Sequence, residues 1–432
     1  MYNLLFLNNY FSFLKVITNK YLFVLLVVYF PLHVFSQIQD SLNLSLDECK
    51  AILIKENLSV IASHYDVDIA EAQVIQSRAW NNPVFNWNQD MYSVEKNQYF
   101  NFGNQFLVQI DIVFSIAGKY TNTVRLAKVK QEGSKLMVKD ILRSLMMELN
   151  ESYNLLNSLQ NKALIYKDVS DRYDEVISAG ERQLQVGGIS ANELIRLRSE
   201  RIALQTEAVQ NSKDLYEAMA NLRVLLNLRP TVYIQTLKYI PTSSDPVLSD
   251  LFLLGEEHRA DYLLSRLNIK YQETNLKLQK SLAVPDINFG YQPKDRGSNY
   301  VRPYSGIEIG FEVPLFNRNI GNIKASQFEI KKAEVESVQK QNSLQNEITQ
   351  SYLTMLEAKK CLKNYTNILL DQIELLNKDS EINYLKRNIN MLEYIDLKRI
   401  YIQNRMQFLE LDFQYLRAVN HLNFSVGLDV IK

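Results

Sequence analysis

The sequence predicts a mainly α-helical chain with a small β part, in which two long helical hairpins each carry a pair of membrane-length strands. Three observations predict it. First, the nine prolines leave two wide gaps, Val84 to Arg229 and Leu315 to Lys432, where nothing interrupts a helix. Apolar residues keep helical spacing there, as in Ile141, Leu145, Leu149, Leu156 and Leu159, with Lys, Glu, Asn and Gln between. Second, four segments switch to a period of two. Phe106, Val108, Ile110, Ile112 and Phe114 alternate with residues such as Gln109 and Asp111, and Ile307, Ile309, Phe311 and Val313 alternate with Glu308, Gly310 and Glu312. Third, the second half repeats the first at an offset near 200: Pro83 matches Pro285, Glu193 matches Glu393, and Ala218 with Leu222 matches Ala418 with Leu422.

Composition narrows the function. With 48 Lys+Arg against 48 Asp+Glu the formal charge is zero, which excludes nucleic-acid binding through a basic surface. The 47% hydrophobic fraction with only 13 Gly and 9 Pro excludes disorder. Two cysteines exclude a disulfide scaffold, and Cys49 and Cys361 read as packing residues. Four scattered histidines, His33, His64, His258 and His421, offer no metal set, so neither metal nor cofactor is expected.

In chain order, Lys15 and Lys20 precede an uncharged run from Tyr21 to Ser36 and a polar stretch from Gln37. Residues 1–36 therefore read as a signal peptide whose apolar run is short for a transmembrane helix. Residues 37–228 form the first repeat: a helix, a strand pair at 84–91 and 105–114, and a long helical hairpin. A helix from about Thr123 to Ala179 alone spans roughly 85 Å. Residues 229–250, with three prolines and Ser243-Ser244-Asp245, form a connector. Residues 251–428 repeat the plan with strands at 286–291 and 305–313. Strands of nine or ten residues suit an outer membrane crossed at a tilt. Four cannot close a barrel, and an open edge in lipid leaves backbone groups unpaired, so the chain must oligomerise; strand count allows two, three or four copies.

Catalysis finds no support. Asp47 with Glu48 and Glu256 with Glu257 are adjacent and diverge on a helix, and there is no phosphate-binding Gly-rich loop, no G-x-S-x-G and no H-E-x-x-H. The competing class is a non-transport coiled-coil structural or adhesin-like outer-membrane protein. That class predicts one continuous heptad block, not a twofold repeat with strand pairs in corresponding places.

Several short motifs, taken in order, resemble the outer-membrane efflux protein family, the TolC-like periplasmic ducts. They are Ser45-Leu46-Asp47-Glu48 with Glu56-Asn57, Ala70-Glu71-Ala72 leading to Trp80-Asn81-Asn82-Pro83, Arg259-Ala260-Asp261, and Val313-Pro314-Leu315-Phe316-Asn317-Arg318-Asn319 with Gly321. Leu58 and Ala260 stand where the family often has proline. The resemblance implies a homotrimer sharing one twelve-stranded barrel in the cell outer membrane, with a long α-helical barrel in the periplasm. It implies passive conduction, with a periplasmic adaptor (a membrane fusion protein) and an inner-membrane resistance-nodulation-division pump as partners. Pro314-Leu315-Phe316-Asn317-Arg318 is similar to the heavy-metal-cation branch.

The candidate site residues fall in three places. Gln109, Asp111, Glu308 and Glu312 are expected toward the barrel lumen, opposite a lipid-facing apolar set. The helix-to-helix turns are expected at Val186-Gly187-Gly188-Ile189-Ser190 and Lys386-Arg387-Asn388-Ile389-Asn390, where glycine and asparagine supply turn geometry and where the family meets its adaptor. Glu393 and Asp396, three apart on one helix face, match the paired acids of the family's entrance and are expected to form the periplasmic gate with Arg196, which pairs with an acid of the neighbouring turn. Crowded carboxylates select for cations.

Overall fold

The computed structural model describes residues 41–89, 91–93, 97–100, 106–241, 246–295, 302, 304–365 and 367–431. The expected signal peptide at 1–36, Ser243-Ser244-Asp245 and parts of the two strand-to-strand loops lie outside the described residues. The first half runs β1 (Ser41–Leu44), α1 (Leu46–Glu56), α2 (Leu58–Ser77), β2 (Val84–Gln89), β3 (Tyr92–Ser93), β4 (Gln98–Tyr99), β5 (Phe106–Phe114), α3 (Lys119–Gln185) and α4 (Ala191–Leu225). After β6 (Tyr233–Thr236) the second half runs α5 (Leu248–His258), α6 (Ala260–Leu282), β7 (Ile287–Asp295), β8 (Tyr304–Phe311), α7 (Ile320–Lys363), α8 (Asn367–Leu385) and α9 (Met391–Val426).

The proline-free gap produces a single helix of 67 residues in α3, about 100 Å long at ~1.5 Å per residue. Its counterpart is interrupted: α7 stops at Lys363 and α8 starts at Asn367. The interruption opens at Asn364-Tyr365, residues that compete for backbone hydrogen bonds or crowd χ1, and no proline announces it.

The strands form one sheet in the order β2-β5-β7-β8, antiparallel throughout, and β3 and β4 form a separate small hairpin. Three strand ends differ from the alternation pattern. β2, expected over 84–91, stops at Gln89, and Met91 lies in a bend. β7 runs on to Asp295, because a bulge on both of its ladders absorbs Pro293, which has no N–H to donate. β8 ends at Phe311, just ahead of Val313-Pro314.

The helices bury three apolar clusters. One seats the first half around Leu53, Leu149, Tyr153, Met219 and Leu222, covered by the parallel β1–β6 ladder. One seats the second half around Leu251, Leu344, Ile348, Val419 and Leu422. The third lies near the far ends of the hairpins, where Val169, Tyr173 and Leu197 meet Tyr394, Ile395 and Tyr401. Side by side the long helices stand in the order α4, α3, α9, α8, so α4 and α8 are the two edges. Among the described residues no helix is long and apolar enough to cross a membrane.

Candidate functional site: a two-faced sheet and a charged hairpin tip

Strand register separates the two faces of the sheet. Val84 opposes Asp111, Asn86 opposes Gln109, Asp111 opposes Gly290 and Gly290 opposes Glu308, so these residues share one face. Their polar groups join across all four strands. Gln109 Nε2 donates to Asp111 Oδ1 (2.6 Å) and Glu308 Oε2 (2.9 Å), Asn86 Nδ2 donates to Asp111 Oδ2 (2.6 Å), and Gln292 Nε2 donates to Gln109 Oε1 (2.9 Å). Gly290 lies in the middle; a Cβ there would stand 2.7 Å from Asp111 Oδ1, so the network requires glycine. The opposite face presents Phe85, Trp87, Ile110, Tyr291, Ile307, Ile309 and Phe311, all exposed in the isolated chain. Glu312 falls one residue past β8, in a recess beside Lys119 and Asp286, which form an ion pair at 2.8 Å between the two halves.

At the other end the two turns have one geometry. Gly188 N donates to Gln183 O (2.7 Å) and Gly187 N to Leu184 O (3.1 Å); Asn388 N donates to Asn383 O (2.8 Å) and Arg387 N to Tyr384 O (2.9 Å). Both are Schellman closures, with Gly187 at φ +74° and Arg387 at φ +64° in the left-handed position. Ile189 and Ile389 follow, half-buried, and then the N-caps Ser190 and Asn390, each accepting from the amide three residues on. The turns lie side by side: a Cβ on Gly188 would meet Arg387 Nη2 at 2.5 Å, and Glu193 and Arg196 share a groove with Asn390, Met391 and Leu392. Val186 is exposed, 81% of its surface being free.

The structure places the expected gate residues on the surface of this tip. Glu393 and Asp396 are exposed on α9 just above its N-cap. Glu193, the repeat partner of Glu393, is used locally, its carboxylate closing a capping box on Ser190 N at 3.0 Å. The expected pairing of Arg196 with an acid of the neighbouring turn is not present: among the described residues Arg196 makes no ion pair within the chain. A tie between the hairpins is made about one turn higher by Arg399, whose Nη2 bonds Glu200 on α4 and whose charge also feels Asp396.

Sequence reading missed a buried charge cluster beside this pair. Lys398 is fully buried, donating to Asn377 Oδ1 (2.6 Å) and Asn377 O (3.2 Å), with Glu381 at 3.7 Å. Glu381 also accepts from Arg172 of α3 (3.0 Å), which bonds Asp168. Burial pushes the Lys398 ammonium down to about 8, partly offset by the charge of Glu381. The signal was a lysine standing in the apolar stripe Tyr394, Ile395, Tyr401 and Ile402. Cys361 also departs from expectation: it is exposed, whereas Cys49 packs in the first-half core, and both are free thiols.

Residues 52–228 match the family described as outer membrane efflux protein. That match covers 177 of the 432 residues, the greater part of the first half. It is 19% identical over 387 residues to the cobalt-zinc-cadmium resistance protein CzcC of Cupriavidus metallidurans, covering 89% of this chain and 90% of that one. Its fold is that of the Campylobacter jejuni CmeC outer membrane channel (TM-score 0.72, 13% identity, 88% of this chain and 85% of that one). The open-state Neisseria gonorrhoeae MtrE outer membrane channel is similar as well (TM-score 0.69, 14% identity, 89% of each chain). Both of these neighbours are outer membrane channels, and the family matched over 52–228 is one of outer membrane efflux proteins.

Proposed function

We propose that three copies of the chain build one twelve-stranded barrel and one helical tube, forming the passive exit duct of a pump with three components. Residues 1–36 direct export, and residues 37–228 and 251–428 are the two efflux repeats joined by 229–250. The observation that carries this reading is the sheet: four strands, apolar on one side and hydrogen-bonded polar on the other, with β2 and β8 left as edges that lipid cannot satisfy. Gln109, Asp111, Glu308 and Glu312 line the lumen. An inner-membrane resistance-nodulation-division pump supplies energy, and a periplasmic adaptor meets the tip at Val186-Gly187-Gly188-Ile189 and Arg387-Asn388-Ile389. Exposed Glu393 and Asp396, repeated by symmetry, form a cation-selective entrance, and Arg196 is free to bond an acid of the next copy. Likeness to CzcC supports divalent metal cations as cargo.

The test is paired. Ile309→Arg places charge in lipid at about 2 to 4 kcal/mol near the midplane, so the assembled outer-membrane trimer is lost, whereas Glu308→Arg assembles. Equal assembly of both, or a dimer or tetramer by native mass measurement, overturns the reading. Single-channel recording on the Glu393→Ala, Asp396→Ala double variant decides the gate: unchanged cation selectivity and unchanged block by multivalent cations rule it out. Sensitivity of a deletion strain to cobalt, zinc and cadmium, compared with drugs, decides the cargo.

A further inference from the structure

The two halves close separate apolar cores, and the seam between them is polar. Among the described residues, the cluster around Leu149, Tyr153 and Met219 includes none from α9, and the cluster around Leu344, Val419 and Leu422 includes none from α3. Along this stretch α3 and α9 are tied by Arg143 Nη1 donating to Phe424 O (2.9 Å), by Glu151 with Arg417 (2.6 Å) and by Lys162 with Glu410 (3.0 Å). Met147, Asn154 and Ser158 fall between these ties at helical spacing, so they lie on the face of α3 that meets α9.

That seam buries polar groups that find nothing in the chain to bond. Asn150, Asn154 and Ser158, four residues apart on α3, and Asn420 on α9 are each more than nine-tenths buried. Yet Asn150 Oδ1, Asn154 Nδ2, Ser158 Oγ and Asn420 Nδ2 have no hydrogen-bond partner among the described residues. The three groups on α3 form a row about 12 Å long at ~1.5 Å per residue. The ties at Phe424 and Arg417 put Asn420 level with Met147, beside the start of the row. Buried polar groups are costly without partners, and a polar seam of this kind is completed by bound water. Asn150 and Asn420 also line a recess of about 460 Å³ walled by Leu142, Met146 and Phe424, through which solvent can enter. Two charged groups at its rim are already engaged, Arg143 with Asp140 and Asp429 with Lys50. A neutral ligand that both donates and accepts, and is small enough to sit between two packed helices, is water; it fits an acceptor at Asn150, donors at Asn420 and Asn154, and a hydroxyl at Ser158.

We infer that the α3–α9 seam is a binding site for a row of waters, entered from the recess and bridging Asn150, Asn420, Asn154 and Ser158. Each chain holds the row by itself, whatever the number of copies. The two halves are then joined at this level by shared water and by the ties at Arg143, Glu151 and Lys162, and their apolar cores stay separate.

A crystal structure of the full chain in detergent, at a resolution that shows ordered solvent, tests this directly. Waters are expected within about 3.2 Å of Asn150 Oδ1, Asn154 Nδ2, Ser158 Oγ and Asn420 Nδ2. A dry seam, direct bonds among these side chains, or a larger solute in the recess overturns the site. Denaturant unfolding reads the same question by its sign. With water satisfying the row, Asn154→Leu and Ser158→Ala each lower the unfolding midpoint, and Asn154→Ser, which leaves room for one more water, lowers it less than leucine does. A dry row gives the reverse, because removing an unsatisfied buried group relieves its cost, so a raised midpoint in either variant overturns the inference. Asn150 and Asn420 stand on different helices and share a water. The Asn150→Leu, Asn420→Leu double variant therefore loses less than the sum of the two single losses, and additive losses overturn the bridge.

Discussion

The two halves of the chain make the same joint with different chemistry. In the first, Asn57 ends α1 and caps α2, accepting from Ser59 N and Val60 N and donating through Nδ2 to Leu225 O at 2.8 Å. In the second, Arg259 holds the equivalent place between α5 and α6 and donates through Nη1 to Ser425 O at 3.2 Å, two hundred residues beyond Leu225. A short neutral amide thus does in one half what a buried guanidinium does in the other. The guanidinium brings an ionic network with it: Asp261 at 2.8 Å, Glu347, and around Asp261 also Lys340 at 2.8 Å and Arg143 at 3.5 Å. The comparison teaches that a duplicated fold conserves where a carbonyl must be satisfied, and leaves open whether charge does it.

The largest effect expected from this difference is at the ionic joint. Arg259→Met leaves Asp261 and Glu347 short of a buried partner and should cost about 3 to 5 kcal/mol, against about 1 to 2 kcal/mol for Asn57→Ala, which loses a cap and one hydrogen bond. Denaturant unfolding of the detergent-purified protein compares them, and equal costs would break the distinction.

Acid should separate the halves next. Burial alone would raise the Asp261 carboxyl, but bonds from Arg259 and Lys340, with the Arg143 charge, outweigh it and hold the group at about 2 against an ordinary 3.8. A depressed acid contributes stability above its unfolded value and loses it as pH falls through the folded one. About 2 kcal/mol should therefore be present above pH ~4 and disappear toward pH ~2. Asp261→Asn should flatten that limb, measured as unfolding midpoint against pH.

A smaller contrast lies at the helix ends that face these joints. Asn227 (φ +52°) and Gly427 (φ +82°) both end their helices in the left-handed region, but a Cβ on Gly427 would stand 3.0 Å from the Arg259 backbone. Gly427→Ala should cost about 1 to 2 kcal/mol, while Asn227→Gly changes stability by a few tenths.

The smallest effect is expected at Lys398, where charge is buried without a tight carboxylate contact. Because its ammonium is depressed to about 8 from an ordinary 10.5, the unfolded chain binds the extra proton between those values, so this group's contribution to stability rises from pH 8 to pH 10.5. Lys398→Met should remove that rise and be neutral or stabilising by about 1 kcal/mol near pH 7. A loss of several kcal/mol would show that the buried lysine is needed for the tip, as Arg259 is for the joint.

Much of this architecture was legible in the residues. Proline gaps, the change of period from 3.6 to 2 and the offset of 200 are local patterns, and they located the long helices, the strand pairs and both turns. Legibility failed where partners are distant in sequence. Nothing near Arg196 shows that the inter-hairpin tie passes to Arg399 and Glu200, and nothing near Lys398 names Glu381 or Arg172 as its neighbours. The interruption after Lys363 was hidden as well, because Asn and Tyr weaken a helix without forbidding one.

The sequence by itself determined the elements and their faces, because side-chain periodicity and backbone freedom at glycine, asparagine and proline act within a few residues. It thereby fixed which side of each strand is apolar and where each hairpin turns. Only the tertiary structure decided how the two halves meet. Packing α3 against α9 buries Lys398 and lays Arg387 over Gly188, leaves Glu393 and Asp396 in solvent, and puts α4 and α8 at the edges. Those outcomes depend on which surfaces exclude water together, and that is a property of residues some 200 positions apart.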